Sequence, residues 1–454
     1  MKVFYKVREN ELSFSSIKDF TSTVSSNVFI GEQDCLTLYT ESIEDRLFIS
    51  SDTECIYISD NLRQISDKKN TLAVNQSALS FYEEFGFLLP PFTQYSDILF
   101  VTPYRRFLIS SNSISFVNVY PKFPNPVTLN SAIENFFSKV DTQKLDILVS
   151  GGIDSSALLG YLNEKGKISK AYMCKMSSLD AESERARRLC SAIGVDFNLI
   201  DLDKDLSEVA SKFLEESGEL ISDSISIVML ELFQNISVEN AGQPISIVDG
   251  QGADSLLNGL PLNKVYQLWN KLHKIRPFVR LFSNIPIFKD KSSSLKRKLY
   301  RLSKAVKCLS QTEFHKAIVV ALSEVDVNHS DVEPLINRLE ELYNQYNDWH
   351  FVLRYFYLFD VLPAREMQKY LFASQFNISL ITPFLDDALI KSLISTENDK
   401  TIVNNTFKFP ITEIAMQYWP GEFKSSATSP FQVDYSLGND DIKGLSILKL
   451  YNKN

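Results

Sequence analysis

Leu145-Asp-Ile-Leu-Val149-Ser150-Gly151-Gly152-Ile153-Asp154-Ser155-Ser156 is an apolar run, a double glycine and the opening of a helical pattern, Ala157-Leu-Leu-Gly-Tyr-Leu162. Leu145 to Val149 suit a buried parallel strand, and the two glycines let the backbone turn tightly and approach a ligand. The following helix aims unpaired N–H groups and its positive dipole end at the same point, which suits a pyrophosphate. Ser150, Ser155 and Ser156 add hydroxyl donors. Asp154 stands where a carboxylate would hold Mg²⁺ beside phosphates. An ordinary strand–turn–helix junction also uses Ser and Gly, but it does not require this aspartate and serine pair.

The run resembles the PP-loop of the ATP pyrophosphatase superfamily, which cleaves ATP between the α- and β-phosphates. It differs from the Gly-x4-Gly-Lys-Ser/Thr loop associated with γ-phosphate chemistry. The resemblance implies an adenylating enzyme using ATP and Mg²⁺, with the acceptor left open.

Outward from the loop, helices and strands alternate. A helix is expected at 130–140, a strand at 170–176 that includes Met173, a helix at 181–193 and a strand at 196–202. That order predicts an α/β fold with a doubly wound parallel sheet and the ligand at the carboxyl ends of its strands. Beyond residue 260 the pattern is mostly helical. Before residue 120 it is β-rich, with short runs at 27–31, 35–42, 46–50, 55–59, 98–102, 106–110 and 113–120, the last three hairpin-like. One helix interrupts these runs at 75–85. Pro121, Pro124 and Pro126 form a linker, dividing the chain into domains at 1–124 and 128–454.

A second constellation is Ile245-Ser-Ile-Val-Asp249-Gly250-Gln251-Gly252-Ala253-Asp254, continuing to Gly259. An apolar strand again meets two glycines. Asp254 would supply a second carboxylate, so that two loops hold one Mg²⁺ against a triphosphate. A third piece, Ile381-Thr-Pro-Phe-Leu-Asp386, follows a helix containing Arg365-Glu366-Met367-Gln368 and reads as a helix-to-helix turn.

These three pieces together resemble the asparagine synthetase family, which includes β-lactam synthetases and lasso peptide cyclases. The resemblance implies nucleotide binding by Val149, Ser150, Gly151, Gly152, Asp154, Ser155, Ser156, Met173, Asp249 and Gly250. It implies Asp154 and Asp254 as metal ligands. Phe48-Ile-Ser-Ser-Asp52 and Ile98-Leu-Phe-Val-Thr-Pro-Tyr-Arg-Arg-Phe-Leu108 are similar to parts of the family's class II glutamine amidotransferase domain. That domain's nucleophile is a cysteine directly after the initiator Met, where this chain has Lys2. The expectation is a degenerate domain with no glutamine hydrolysis, so the amine must arrive with the substrate. At the third residue of the Gly-rich loop asparagine synthetases have Glu and β-lactam synthetases Tyr. Gln251 stands here, an amide that can orient a substrate but cannot act as a base. The family's C-terminal catalytic lysine has no clean counterpart. A rough match over Trp419–Phe431 puts Thr428 near it, leaving Lys424 and Lys408 as candidates.

Bulk properties narrow the class. The 454 residues, 44% hydrophobic and 23% charged, describe a soluble globular chain able to form two or three domains. A net charge of −9 argues against a surface made for nucleic acid. Five scattered cysteines and four histidines give neither zinc spacing nor a disulfide framework. No apolar run reaches membrane-spanning length, and the expected location is cytoplasmic. Thirteen Lys or Arg residues against the single acid Asp290 make 264–307 a basic stretch, either a solvated helical face or a site for an acidic partner. Phe278, Leu281, Phe282, Ile285, Ile287 and Phe288 within it could line a groove or form core.

The sequence therefore reads as an ATP-dependent, AMP-forming amide synthetase, most like a lasso peptide cyclase. It would join an Asp or Glu side chain of a precursor peptide to the peptide's N-terminal amine. Gln251 and Lys424 or Lys408 would serve catalysis, and a leader peptidase and leader-binding protein would be partners. A β-lactam synthetase-like or other amide ligase is the alternative. An RNA-modifying PP-loop enzyme and a binding-only pseudo-enzyme come from different classes. The acidity and the lack of sulfur-transfer cysteines weigh against the former, and the intact Asp154 and Asp254 against the latter.

Overall fold

The computed structural model describes residues 1–454 except 8–9, 15, 25–28, 33–34, 70–71, 112, 142–143, 176–180, 203–205, 282–293, 324–329, 420–438 and 454. The described strands before residue 119 form two packed sheets, with helices at Ile17–Thr23, Leu62–Ser66 and Gln76–Phe85 between strands in the chain. The strands are β1 (Lys2–Val7), β2 (Asn10–Phe14), β3 (Phe29–Glu32), β4 (Cys35–Tyr39), β5 (Leu47–Ser51), β6 (Cys55–Ser59), β7 (Ile98–Val101), β8 (Arg105–Ser110) and β9 (Ser113–Asn118). One sheet has the order β2-β1-β6-β5-β7 and the other β3-β4-β8-β9. Val3, Ile49, Ile58 and Leu99 of the first meet Leu36, Leu38, Phe107 and Ile109 of the second in a single apolar layer.

Of the three hairpin-like runs, β8 and β9 pair as an antiparallel hairpin, whereas β7 and β8 do not pair. Tyr104, in the left-handed region at φ 59, carries the chain from one sheet to the other. β7 pairs with β5 and β8 with β4.

The remainder is built on β10 (Leu145–Leu148), β11 (Ile168–Lys175), β12 (Asp196–Asp201), β13 (Ile245–Val248) and β14 (Ile378–Ile381), all parallel in the order β12-β11-β10-β13-β14. Each face has its own core, as expected for a doubly wound sheet. Ala171 and Met173 point into one core and Tyr172 and Cys174 into the other. Strand order reverses between β10 and β13, so the loops after these two strands open on the same crevice.

The segment read as a helix-to-helix turn at Ile381–Asp386 is different. Its first residue ends β14, which pairs with β13, and Pro383–Leu385 form a 3₁₀ turn leading into the helix Asp387–Leu393. Four strand residues at a sheet edge, without alternating polarity, carry too little pattern to be read locally.

The sandwich packs against the α/β unit through its first sheet. Phe48 and Phe100, on the opposite face from Ile49 and Leu99, join the main core of the α/β unit. A buried charge cluster ties the two. Arg105 of β8 donates to Asp360 Oδ1 at 2.6 Å, and Arg338 Nε donates to Asp360 Oδ2 at 3.0 Å. Asp360 lies in a π-helical segment, Tyr357–Val361.

Candidate active site

The helix Ile153–Glu164 starts directly after Gly151 and Gly152, with Gly152 as its N-cap and no side-chain cap, so the first N–H groups are open to a ligand. Gly151 takes φ +67, and a side chain there would run into the Glu182 carbonyl. The Ser150 N–H donates to Ser155 Oγ at 3.1 Å, and the Gly152 N–H to Ser150 Oγ at 3.3 Å, which shapes the turn.

The loop after β13 closes over this helix. A Cβ on Gly250 would sit 3.4 Å from both Asp154 Cβ and the Ser155 nitrogen. Gly252, at φ +99, is pressed against Leu385 and the Phe384 carbonyl, so the 3₁₀ turn after β14 backs the second loop. That contact gives the third sequence piece its purpose.

Between the loops lies a cavity of about 530 Å³, lined by Val149, Ser150, Asp154, Ser155, Met173, Asp249, Gly250, Gln251 and Asp254 among the residues expected there. Its apolar wall includes Met229 and Leu232 of the helix Ser224–Glu239. Ser156 is elsewhere. It is buried, and its carbonyl accepts from Trp419 Nε1 at 3.0 Å. The structure keeps Gly151 and Gly152 in the turn rather than in the cavity wall.

Of the two candidate lysines, Lys408 is the one among the described residues, and it reaches both aspartates. It enters the helix Phe409–Tyr418, which packs on the Ile153 helix so tightly that Gly160 meets the Tyr418 ring. Lys408 Nζ is 2.7 Å from Asp154 Oδ2 and 2.8 Å from Asp254 Oδ1. Burial opposes its charge, but the two carboxylates more than offset this and hold its pKa above that of an ordinary lysine. Burial pushes the Asp154 carboxyl upward, partly countered by Lys408. Lys424 and Thr428 lie outside the described residues, as does most of the rough match over Trp419–Phe431.

Asp154 and Asp254 already share one cation, the Lys408 ammonium, so the gap between them accommodates positive charge. Among the described residues no three His, Cys, Asp or Glu side chains gather around a metal position. Two hard oxygen donors with phosphate oxygens completing the shell suit Mg²⁺.

Gln251 belongs to a second polar group in the same cavity, whose other members, Glu366 and Lys369, the sequence did not single out. Gln251 Nε2 donates to Glu366, and Gln251 Oε1 accepts from Lys369 Nζ at 2.6 Å. Lys369 also lies 3.2 Å from Asp249 Oδ2, which accepts from the Tyr370 hydroxyl. Asp249 therefore reaches the cavity already paired. Burial raises the Glu366 carboxyl, with Arg365 and Lys369 opposing. The short 3₁₀ segment Glu366–Tyr370 carries these residues without helical periodicity, and only their approach to Gln251 marks them.

Of the basic stretch, Phe278 and Leu281 are not core; they are 69% and 78% exposed. Phe282, Ile285, Ile287 and Phe288 lie outside the described residues.

Residues 139–445 match the asparagine synthase family. The chain is similar to the microcin J25-processing protein McjC of Escherichia coli, 29% identical over 143 residues, or 30% of this chain. The match spans about a quarter (26%) of that relative's length. With more than half its length matched, through both glycine loops, the cavity between them and the helix that delivers Lys408, this chain belongs to the asparagine synthase family.

Proposed function

We propose that the protein is an ATP-dependent amide synthetase that adenylates an Asp or Glu side chain of a precursor peptide. It would then close an isopeptide macrolactam with the peptide's N-terminal amine, the activity of a lasso peptide cyclase. The reading is carried by one cavity shared by an open helix N-terminus, the Asp154 and Asp254 carboxylates reached by Lys408, and the Gln251–Glu366–Lys369 group. Similarity to a protein named for processing microcin J25 supports a peptide substrate.

In the first step a peptide carboxylate oxygen attacks the α-phosphorus of ATP, and pyrophosphate leaves. The N–H groups at the start of the Ile153 helix and the Lys408 ammonium attract the phosphates. Mg²⁺ held by Asp154 and Asp254 would offset charge as pyrophosphate departs. In the second step the amine nitrogen attacks the acyl carbon, its proton passes to a base, and AMP leaves. Gln251 cannot take that proton, but the Glu366 carboxyl beside it, raised by burial, is suited to the task. Lys369 would steady negative charge on the acyl oxygen. Holding amine and acyl group in one cavity makes the attack effectively unimolecular.

No ammonia source is assigned to the sandwich. Lys2 is an exposed residue of β1 whose N–H donates to the Glu54 carbonyl, and burial raises the Cys55 thiol away from thiolate character. A leader peptidase and a leader-binding protein would free and deliver the amine.

The test is mass spectrometry of a candidate core peptide incubated with enzyme, ATP and any partner peptidase, alongside ATP–pyrophosphate exchange. Loss of one water with a blocked N-terminus, together with AMP and pyrophosphate, is expected. Release of ADP, glutamate formed from glutamine in step with AMP, or an open-chain amide would overturn the reading.

A further inference from the structure

The helices Pro261–Lys271, Arg276–Arg280 and Ser294–Ser310 carry apolar side chains that are exposed among the described residues. On the last, Leu295, Leu299 and Leu302 recur at i, i+4 and i+7 and are 68%, 39% and 62% exposed. That spacing puts them on one stripe of the helix. Phe278 and Leu281 protrude where the short middle helix ends.

Charge surrounds both features. Lys298 and Arg301 flank the leucine stripe, and Lys271, Lys274 and Arg280 lie near the Phe278 turn, all exposed. Arg276 is differently employed, stacked 3.7 Å from the Trp269 ring centre. From 264 to 307 thirteen basic residues accompany one acid, whereas the rest of the chain has 34 basic residues against 55 acidic ones.

We propose that this face binds an anionic lipid surface. Protruding leucine and phenylalanine within a basic rim are the features that let an amphipathic helix lie at the headgroup boundary. The described residues from 264 to 307 include no acid that would repel anionic headgroups. Among the described residues no helix is long and apolar enough to cross a membrane, so the contact is superficial. The surface begins beside the cavity, since Leu260 and Pro261 at the start of its first helix line the wall.

The experiment is vesicle flotation of the full chain with phosphatidylcholine alone or mixed with phosphatidylglycerol, at low and high salt. Flotation with the anionic vesicles only, reversed by salt, is expected. The triple substitution Phe278→Ser, Leu281→Ser, Leu302→Ser should abolish it. Lys298→Glu with Arg301→Glu should weaken partitioning at least about 25-fold, on about fivefold per basic residue lost. ATP–pyrophosphate exchange should be unchanged in both variants, which keeps this question separate from the catalytic one. Failure of the parent chain to float, equal flotation of the variants, or retention on an acidic peptide or RNA without vesicle binding would overturn the proposal.

Discussion

Lys408 joins two carboxylates from loops a hundred residues apart, and its removal leaves Asp154 and Asp254 facing each other without their cation. Lys408→Met should lower ATP–pyrophosphate exchange by about 100- to 1,000-fold, the cost of losing one preorganised electrostatic partner. Asp154→Ala and Asp254→Ala should abolish exchange while far-UV circular dichroism stays that of the parent. Near-parental exchange by either mutant at saturating Mg²⁺ would rule out the two-carboxylate site. Gly259 offers a gentler probe. A methyl there would overlap both the Asp254 carboxylate and the Lys408 stem, displacing the pair without removing a charge. Gly259→Ala should therefore reduce exchange by up to about 100-fold, the scale of an ångström misplacement. Unaltered exchange would mean that the Lys408–Asp254 contact is not needed. Both aspartates were legible because each follows a glycine turn after an apolar strand. The reach of Lys408 was not legible, because nothing near it in the chain records that it meets loops 154 and 254 residues away.

Among the elements, the π-helical segment Tyr357–Val361 connects scaffold to site, with Tyr357 lining the cavity and Asp360 held between Arg105 and Arg338. All three charged side chains are almost fully buried. Asp360→Ala would leave two guanidinium groups without their shared counter-ion, at a cost of about 3–5 kcal/mol. Urea unfolding should show that loss, and a change under about 1 kcal/mol would mean that water or another acid compensates. Because Arg105 belongs to β8, the same substitution should loosen the sandwich from the α/β unit, seen as faster hydrogen exchange along both β8 and the segment. Element types were mostly readable from periodicity: the strand at 55–59 falls where it was expected, and the helix expected at 75–85 begins one residue later, at Gln76, and ends at Phe85. β14 and the Glu366–Tyr370 turn were not, since a four-residue edge strand and a 3₁₀ segment have no period to detect.

Packing of the sandwich against the α/β unit brings acidic residues together at their seam. Asp387, from the helix after β14, meets Ser42 of the sandwich, and burial raises its pKa to about 6; Ser42 and Lys391 oppose this while Asp386 and Asp45 add to it. A carboxyl raised in the folded state favours folding while protonated. That contribution is complete below the unfolded value of 3.8 and is lost as pH rises through about 6. Asp387→Asn should raise the melting temperature at about pH 8 by roughly 1–2 °C, allowing for solvent screening at this partly buried site. The gain should shrink toward about pH 5, and an equal gain at both pH values would exclude titration of Asp387 as the cause. By itself the sequence determined the strand–glycine–helix loop, the second glycine loop, the parallel α/β order and the β-rich first region. Each rests on interactions between residues close in the chain, which local patterns record. Only the tertiary structure decided that Lys408 bridges the aspartates, that Glu366 and Lys369 flank Gln251, and that Asp360 is the shared counter-ion of Arg105 and Arg338. Those partners are separated by more than a hundred residues, apart from Asp360 and Arg338, and their meeting depends on how sheets and helices pack.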